Sequence, residues 1–177
     1  MKKTALLLST ILLASLSSCE QEVSSTPSTE PNALESVFKS SPPAEAVSVG
    51  SLRETAKPGE SVTFTGQILG AHDVFMEDRA VMIVGDPTRI TACNAIPGDG
   101  CETPWDVCCD DPDVIKQSIV TVQVLDANGQ PIKNGLKGQN GLTELSTVTV
   151  SGTVSDTSND ENMVVEAKTI VVEPNPS

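Results

Sequence analysis

Four of the five cysteines in this chain lie close together, at positions 93, 101, 108 and 109. The stretch that holds them reads CNAIPGDGCETPWDVCC, and it also contains the only tryptophan, Trp105. Cysteine thiols can be joined as disulfides, can bind a soft metal ion as thiolates, or can react as nucleophiles. This spacing marks the segment as the candidate functional site, and each kind of chemistry is a separate hypothesis.

Two disulfides are the first hypothesis, because exported proteins usually oxidise their cysteines. Four cysteines allow three pairings. A bridge between the neighbours Cys108 and Cys109 is disfavoured, since it would strain the peptide that joins them. Two pairings stay open: Cys93–Cys109 with Cys101–Cys108, or Cys93–Cys108 with Cys101–Cys109. Each bridge would contribute about 3 kcal/mol in the chain-entropy model, and a loop so rich in Gly, Pro and Asp is expected to have little else to hold it.

A metal site is the second hypothesis, since four thiolates can surround a zinc ion. The spacing C-x7-C-x6-C-C lacks the C-x2-C pair that makes zinc motifs specific. A copper(I) site that also draws on Met76, Met82 or His72 is a variant of this hypothesis, because such a site suits soft ligands. Free reactive thiols are the third hypothesis, but the segment has no C-x-x-C pair and no cationic neighbour to stabilise a thiolate.

Trp105, His72 and Asp106 are the other candidate binding residues. Trp105 is expected to pack over the barrel or a disulfide with its indole N–H hydrogen-bonded; if exposed instead, it would anchor a protein or sugar ligand. His72 is the only histidine, and we expect an exposed loop residue bonded to Asp73. No nucleophile elbow or other catalytic motif accompanies these residues, so the sequence predicts a protein that is not an enzyme and has no cofactor.

The same loop is crowded with carboxylates, which could bind calcium through oxygen ligands. They do not follow the spacing of an EF-hand loop, so a solvated acidic rim is the favoured interpretation. These residues are Asp99, Glu102, Asp106, Asp110, Asp111 and Asp113.

The charge of the whole chain excludes one class of partner. The chain has 24 Asp and Glu against 11 Lys and Arg, with a formal net charge of −13. Loss of Lys2 and Lys3 with a signal peptide would leave nine basic residues and a charge near −15. Such a field repels nucleic acid. Barrels that bind single strands stack bases on aromatic residues in a basic groove, but this chain has three Phe, one Trp and no Tyr, so we predict no nucleic-acid partner.

Segments on both sides of the cysteines alternate between apolar and polar residues, as half-buried strands do. Together with a continuous apolar run at 80–84, which is typical of a strand buried on both faces, they predict five strands, at 61–69, 80–84, 118–125, 147–154 and 162–172. The alternation changes phase in the last strand, so a bulge near Lys168 and Thr169 is needed to keep both halves in the core. With one short helical turn at 142–145 and a long cysteine-containing loop between strands two and three, this order predicts an all-β, five-stranded OB-fold-like barrel. An immunoglobulin-like sandwich would need about seven strands.

The N-terminal part of the chain predicts export. Residues 1–18 are typical of a lipoprotein signal peptide, with two lysines ahead of an apolar run too short to span a bilayer. Leu16-Ser17-Ser18-Cys19 is similar to the bacterial lipobox, whose cysteine takes a diacylglyceryl group and is then acylated, for example with palmitate, at its new amino terminus. Residues 19–46 are dominated by Ser, Thr, Pro and Glu and predict a disordered tether. The barrel domain is expected at 47–173, followed by a disordered tail at 174–177.

From its first strand to its last, the chain resembles the OB-like domains of small secreted bacterial lipoproteins. The PWDVCC run at 104–109 resembles a Pro-Trp-Asp-x-Cys-Cys segment of uncharacterised members of that group. Lipidation of Cys19 is the one functional assignment that the resemblance implies, since no activity is established for that group. We therefore expect a non-enzymatic binding or structural module at the cell envelope, held on the membrane by its lipid, at the periplasmic side or cell surface, with an envelope protein or other ligand as partner. The alternative is an envelope metal-handling or thiol-redox protein that works through Cys93, Cys101, Cys108 and Cys109.

Cys19→Ser is expected to abolish incorporation of a fatty-acid analogue and to leave the chain uncleaved at that site, because no thiol is left to take the lipid. Metabolic labelling and the intact mass of the purified chain measure the two effects. Ser18→Ala keeps a small residue in the motif and is the matched control, which should be labelled like the parent. Lipid label on the Cys19→Ser chain would show that this anchor site is wrong.

Overall fold

The structure, a computed structural model, describes residues 34–42 and 44–173. The predicted signal peptide at 1–18, the predicted lipidation site Cys19, the first part of the predicted tether and the predicted tail at 174–177 lie outside the described residues. Within the described ranges, no helix is long and apolar enough to cross a membrane.

Six strands and two α-helices make up the regular structure of the described part of the chain, with three short 3₁₀ helices between them. In chain order they are β1 Val47–Ser48, α1 Val49–Thr55, β2 Ser61–Gln67, β3 Val81–Gly85, α2 Pro112–Ser118, β4 Ile119–Gln123, β5 Thr147–Val154 and β6 Val164–Val172. The 3₁₀ helices are Glu35–Val37, Cys93–Ala95 and Gln139–Gly141. The last five strands begin and end within two residues of the predicted segments, because four of them alternate clearly and β3 is a continuous apolar run.

Five of the strands close into a barrel. Their order is β2-β3-β4-β6-β5, and β5 pairs again with β2 to complete the ring. The pairing of β4 with β6 is parallel, and the other four pairings of the ring are antiparallel. Counted along the chain, the barrel strands stand in the order 1-2-3-5-4, which is the Greek-key arrangement of an OB fold. The predicted fold class is confirmed.

The predicted bulge in the last strand is also confirmed. The register between β5 and β6 shifts between Ser151 and Gly152, and Lys168 is the extra residue on the β6 side. Val165 and Ile170, which lie on either side of it, are both fully buried. Without the extra residue, one half of β6 would turn its apolar side chains to solvent.

The loop between β4 and β5 differs from the prediction of a helical turn at 142–145. Its only helical turn among the described residues is the 3₁₀ helix Gln139–Gly141. Leu142 is extended after that turn and fully buried. Leu145 has a φ of 63°, which ends any helix at that point.

Helix α2 is a second difference, because the strand pattern of the sequence does not predict it. Asp111 caps the helix by accepting hydrogen bonds from the backbone N–H groups of Asp113 and Val114, and Pro112 is its first residue. A capping aspartate followed by proline is an ordinary start signal of a helix. The described residues therefore contain more helix than the single turn predicted, and the sequence did contain the start signal of α2.

The predicted tether is wrong at its C-terminal end, because residues 34–39 pack on the barrel. β4 pairs with β6 only along residues 164–166, so the rest of that side of β6 is open to another partner. Phe38 pairs there with Ile170 in parallel, and the Lys39 N–H donates to the Ile170 carbonyl at 3.0 Å. Leu34 and Val37 are 0% and 8% exposed in the main core. The folded domain therefore includes residues from Leu34 onward, rather than from residue 47.

Leu34→Ala is expected to lower the free energy of unfolding by about 2–4 kcal/mol, because it removes a fully buried side chain and leaves a cavity. Urea unfolding of the purified chain measures the change. Val47→Ala is the matched control, since Val47 is 47% exposed and should cost about 0.5 kcal/mol or less. Equal stability of the two variants would contradict the placement of residues 34–39 in the core.

Candidate functional site

The cysteine loop, defined here as residues 86–111, leaves the barrel at a buried carboxylate. Asp86 directly follows β3 and is 1% exposed. Its oxygens accept hydrogen bonds from the Gly50 N–H at 2.9 Å, the Thr88 N–H at 3.0 Å and the Thr88 hydroxyl at 2.6 Å. Burial acts to raise the pKa of Asp86, but the hydrogen bonds from Thr88 and Gly50 outweigh it and hold the pKa below its ordinary value. The charged side chain thus fixes the start of the loop against α1.

Backbone hydrogen bonds fold the cysteine loop back on itself. The Cys93 N–H donates to the Asp106 carbonyl at 2.8 Å, and the Asn94 N–H donates to the Pro104 carbonyl at 3.0 Å. Each bond joins the segment before Cys101 to the segment after it. The fold-back therefore brings together cysteines that are far apart in sequence.

A small apolar cluster, separate from the barrel core, holds the loop in place. The expectation that the loop has little besides disulfides to hold it is wrong, since Ile90 and Val107 are 2% and 1% exposed in this cluster. Burial of each such side chain contributes about 1.5–3 kcal/mol. The buried members of the cluster are Leu69, Ile90, Ala92 and Val107, with Trp105, Ile115, Ile119 and Leu145 packed against them.

The loop brings three of its four thiols together. The sulfur atoms of Cys93, Cys101 and Cys108 all lie within 4.8 Å of one another, and we call these three residues the thiol triad. The sulfurs of Cys93 and Cys108 are 3.9 Å apart. Cys109 is an exposed thiol outside the triad. All four loop cysteines are free thiols in this structure, so the two disulfide pairings stay predictions; the contact of Cys93 with Cys108 belongs to the pairing that contains Cys93–Cys108.

Cys93 forms the inner side of the triad. It is 2% exposed, and this burial is the largest cause that raises the pKa of its thiol far above the usual range. The Asp99 carboxylate and the other two thiols of the triad raise the pKa further. Cys93 is therefore protonated at neutral pH unless a cation replaces the proton.

Cys101 and Cys108 differ from Cys93 and from each other. The Cys101 sulfur lies 3.3 Å from the Thr103 hydroxyl, and hydrogen bonds from that hydroxyl and the Thr103 backbone lower the pKa of Cys101. At Cys108, the hydrogen bond with Cys93 acts to lower the pKa, but desolvation, the neighbouring Cys109 thiol and the Asp106 carboxylate outweigh it, so the pKa is raised. Cys101 is thus the thiol of the triad that ionises most readily.

Trp105 lies where the cysteine loop meets the barrel. It packs against both apolar clusters, and its indole N–H donates to the His72 carbonyl at 2.8 Å. The expected packing of Trp105 over the barrel is confirmed, as is the expected exposure of His72, whose Nδ1 lies 3.1 Å from a carboxylate oxygen of Asp73. Asp106 contributes its backbone carbonyl to the loop, as described above. The tryptophan therefore positions the loop.

The copper(I) variant that draws on methionine or histidine gains no support. Met82 is buried inside the barrel core, and Met76 is half-exposed on the connection before β3. The His72 side chain is not a member of the thiol triad. Among the described residues, the group of converging His, Cys, Asp and Glu ligands thus consists of cysteines from this loop.

Sequence analysis missed two residues that act on the triad. Thr103 hydrogen-bonds the Cys101 thiol, and the Asp99 carboxylate accepts the Cys101 N–H at 3.1 Å while it also acts on Cys93. Both lie two residues from Cys101, a spacing typical of Asx and Ser/Thr turns. That spacing was the available signal, but Asp99 was grouped with the acidic rim.

Comparison with known proteins gives one structural similarity. The solved structure of the hypothetical protein YgiW from E. coli is similar to this chain over 76% of this chain and 97% of that one, with 14% sequence identity and a TM-score of 0.36. No family model matches the chain, and no curated protein matches it.

Thr103→Val is expected to slow alkylation of Cys101 about threefold at neutral pH, because removal of the hydroxyl takes away a hydrogen bond that stabilises the thiolate. The measurement is the rate of iodoacetamide labelling of reduced, metal-free protein, assigned to each cysteine by peptide mass. Thr91→Val is the matched control, since it changes an exposed threonine of the same loop. Equal Cys101 rates in the two variants would contradict the assigned role of Thr103.

Proposed function

We propose that this chain is an exported, lipid-anchored protein of the bacterial cell envelope, and that its OB-fold barrel supports a site that binds a soft metal ion. Its function is binding rather than catalysis. The observation that carries the proposal is the convergence of Cys93, Cys101 and Cys108, whose sulfurs all lie within 4.8 Å of one another.

The distances within the triad suit a shared metal ion. A thiolate sulfur lies about 2.3 Å from a zinc ion, so two sulfurs on one such ion are about 3.8–4.0 Å apart. The sulfurs of Cys93 and Cys108 are 3.9 Å apart. Cys101 completes the set if its sulfur moves by less than about 1 Å, a shift that a change of side-chain angle supplies.

Charge around the triad supports a positively charged ligand. The Asp99 and Asp106 carboxylates both act on thiols of the triad, and the chain as a whole is strongly acidic. A negative field raises the local concentration of cations. It also keeps the barrel away from anionic lipid headgroups, which is consistent with attachment through the lipid on Cys19 alone.

A disulfide-linked module is the second candidate function, and the Cys93–Cys108 contact favours it. Rotation of these two side chains could bring their sulfurs from 3.9 Å to bonding distance. The partner bridge would then be Cys101–Cys109. In that case the cysteines stabilise the loop, and the barrel acts as a structural or partner-binding module of the envelope.

The two candidates differ in what releases the thiols. If the proposal is right, protein purified from the envelope holds about one equivalent of metal per chain. Its triad thiols then alkylate after a chelator is added, with no reductant. Metal is also lost as the pH falls, because protons compete for thiols such as Cys93 and Cys108 whose pKa values are raised. Elemental analysis and intact mass after alkylation measure both effects.

Cys108→Ser and Cys109→Ser form the matched pair for this experiment, since the residues are neighbours and both are exposed. The first variant should lose the metal and the second should keep it. Metal-free protein whose four loop thiols alkylate only after reduction would contradict the metal site and establish the second candidate.

A further inference from the structure

Resting on the proposed metal site, we infer that its ion is monovalent copper, bound by the three thiolates of Cys93, Cys101 and Cys108 with Cys109 left outside. The number of ligands, their chemical type and the surroundings of the triad lead to this ion.

The first argument is the number and type of ligands. Among the described residues, the converging group of His, Cys, Asp and Glu side chains has three members, and all three are cysteines. Structural zinc sites are almost always closed by four protein ligands in a tetrahedron. An all-sulfur set is soft, and soft ligands select copper(I) among the ions that accept fewer than four ligands.

The second argument is that the nearest additional ligands are engaged elsewhere. The Asp99 carboxylate accepts the hydrogen bond of the Cys101 N–H at 3.1 Å, and its oxygens are outside the group of mutually close ligand atoms. The His72 imidazole is exposed beside Asp73. Cys109 follows Cys108 directly, but its sulfur is outside the group of mutually close ligand atoms. Binding by a fourth protein ligand would therefore require the loop to rearrange. Binding by the three cysteines of the triad requires only that their sulfurs move closer together.

The third argument is the shape of the site. A three-coordinate ion lies near the plane of its ligands, and at a metal–sulfur distance of about 2.3 Å the sulfurs are about 4.0 Å apart. The observed contact of 3.9 Å between Cys93 and Cys108 is compatible with this planar arrangement, as it is with a tetrahedral one. On the inner side, Cys93 follows Ala92 and Cys108 follows Val107, and both preceding residues belong to the small apolar cluster. That cluster shields the site on the side of Cys93, which is 2% exposed, while Cys108 lies on the exposed side.

The binding step releases protons and moves no electrons. A copper(I) ion forms three Cu–S bonds, three S–H bonds break, and three protons pass to solvent. The product carries a charge of −2, from three thiolates and one monovalent ion. The Thr103 hydroxyl lies 3.3 Å from the Cys101 sulfur, so it is placed to donate to the thiolate and to stabilise part of this charge.

The test uses the full chain with Cys19→Ser, so that the four loop cysteines are its only thiols. The protein is prepared reduced, metal-free and without oxygen, then titrated with copper(I) against a coloured copper(I) chelator and, separately, with zinc against a zinc indicator. X-ray absorption of the loaded protein counts the ligands. We expect one copper(I) with three sulfur ligands, and no displacement by zinc in about 100-fold excess.

Variants locate the ligands. Cys101→Ser and Cys108→Ser should each weaken copper(I) binding at least ~100-fold, since loss of even an outer-shell partner costs 10–100-fold. Cys109→Ser should stay within about threefold of the parent. Circular dichroism checks that each variant is folded, and serine is small enough to be accepted at these solvent-accessible positions.

The outcomes separate this inference from the proposed function. Tight zinc binding with displacement of copper, or a fourth sulfur supplied by Cys109, would overturn the copper(I) assignment and leave the thiolate metal site standing. Failure of the reduced chain to bind either ion would overturn both.

Discussion

The buried carboxylate of Asp86 is the contact on which both the barrel and its loop depend. Its side chain binds the N–H of Gly50 in α1 and both donors of Thr88. Its backbone N–H donates to the Ser118 carbonyl at the end of α2, and its carbonyl accepts the N–H of Ile90. One residue thus joins α1, the last turn of α2, the end of β3 and the start of the cysteine loop. The Gly50 N–H, whose bond to Asp86 is buried, would cost about 1–3 kcal/mol if it were left unpaired.

Because the loop is fixed at Asp86 and packed by its own apolar cluster, its thiols are positioned without covalent bridges. Val107 is fully buried beside Cys108, and Ile90 and Ala92 are buried ahead of Cys93. These contacts hold both ends of the fold-back in place. A site whose ligands are already close needs little reorganisation when an ion arrives, and less of the binding free energy is lost in ordering the loop.

The sequence predicted the barrel well and the site poorly, for physical reasons. Strands can be recognised from the local pattern of apolar residues along the chain. The change in the phase of that pattern before Ile170 also predicts the bulge at Lys168. Composition places Leu34 in a tether because it averages over a window, whereas Leu34 and Val37 are buried in the core and Phe38 pairs with Ile170. The thiol triad depends on backbone bonds such as Cys93 to Asp106. Those bonds join distant parts of the chain, and cysteine spacing alone contains no information about them.

Burial of Cys93 has two opposite consequences, and together they support the proposed metal site at the triad. A thiolate in a dry position is unfavourable, which is why the pKa of Cys93 is raised. A bound cation makes the thiolate form favourable, because its positive charge stabilises the sulfur at a position that water does not reach. Proton and metal therefore compete for the same sulfur, and the metal is favoured as pH rises. The acidic surroundings attract any cation, so selection among cations must come from the sulfur ligands themselves, and sulfur prefers the softest ion on offer.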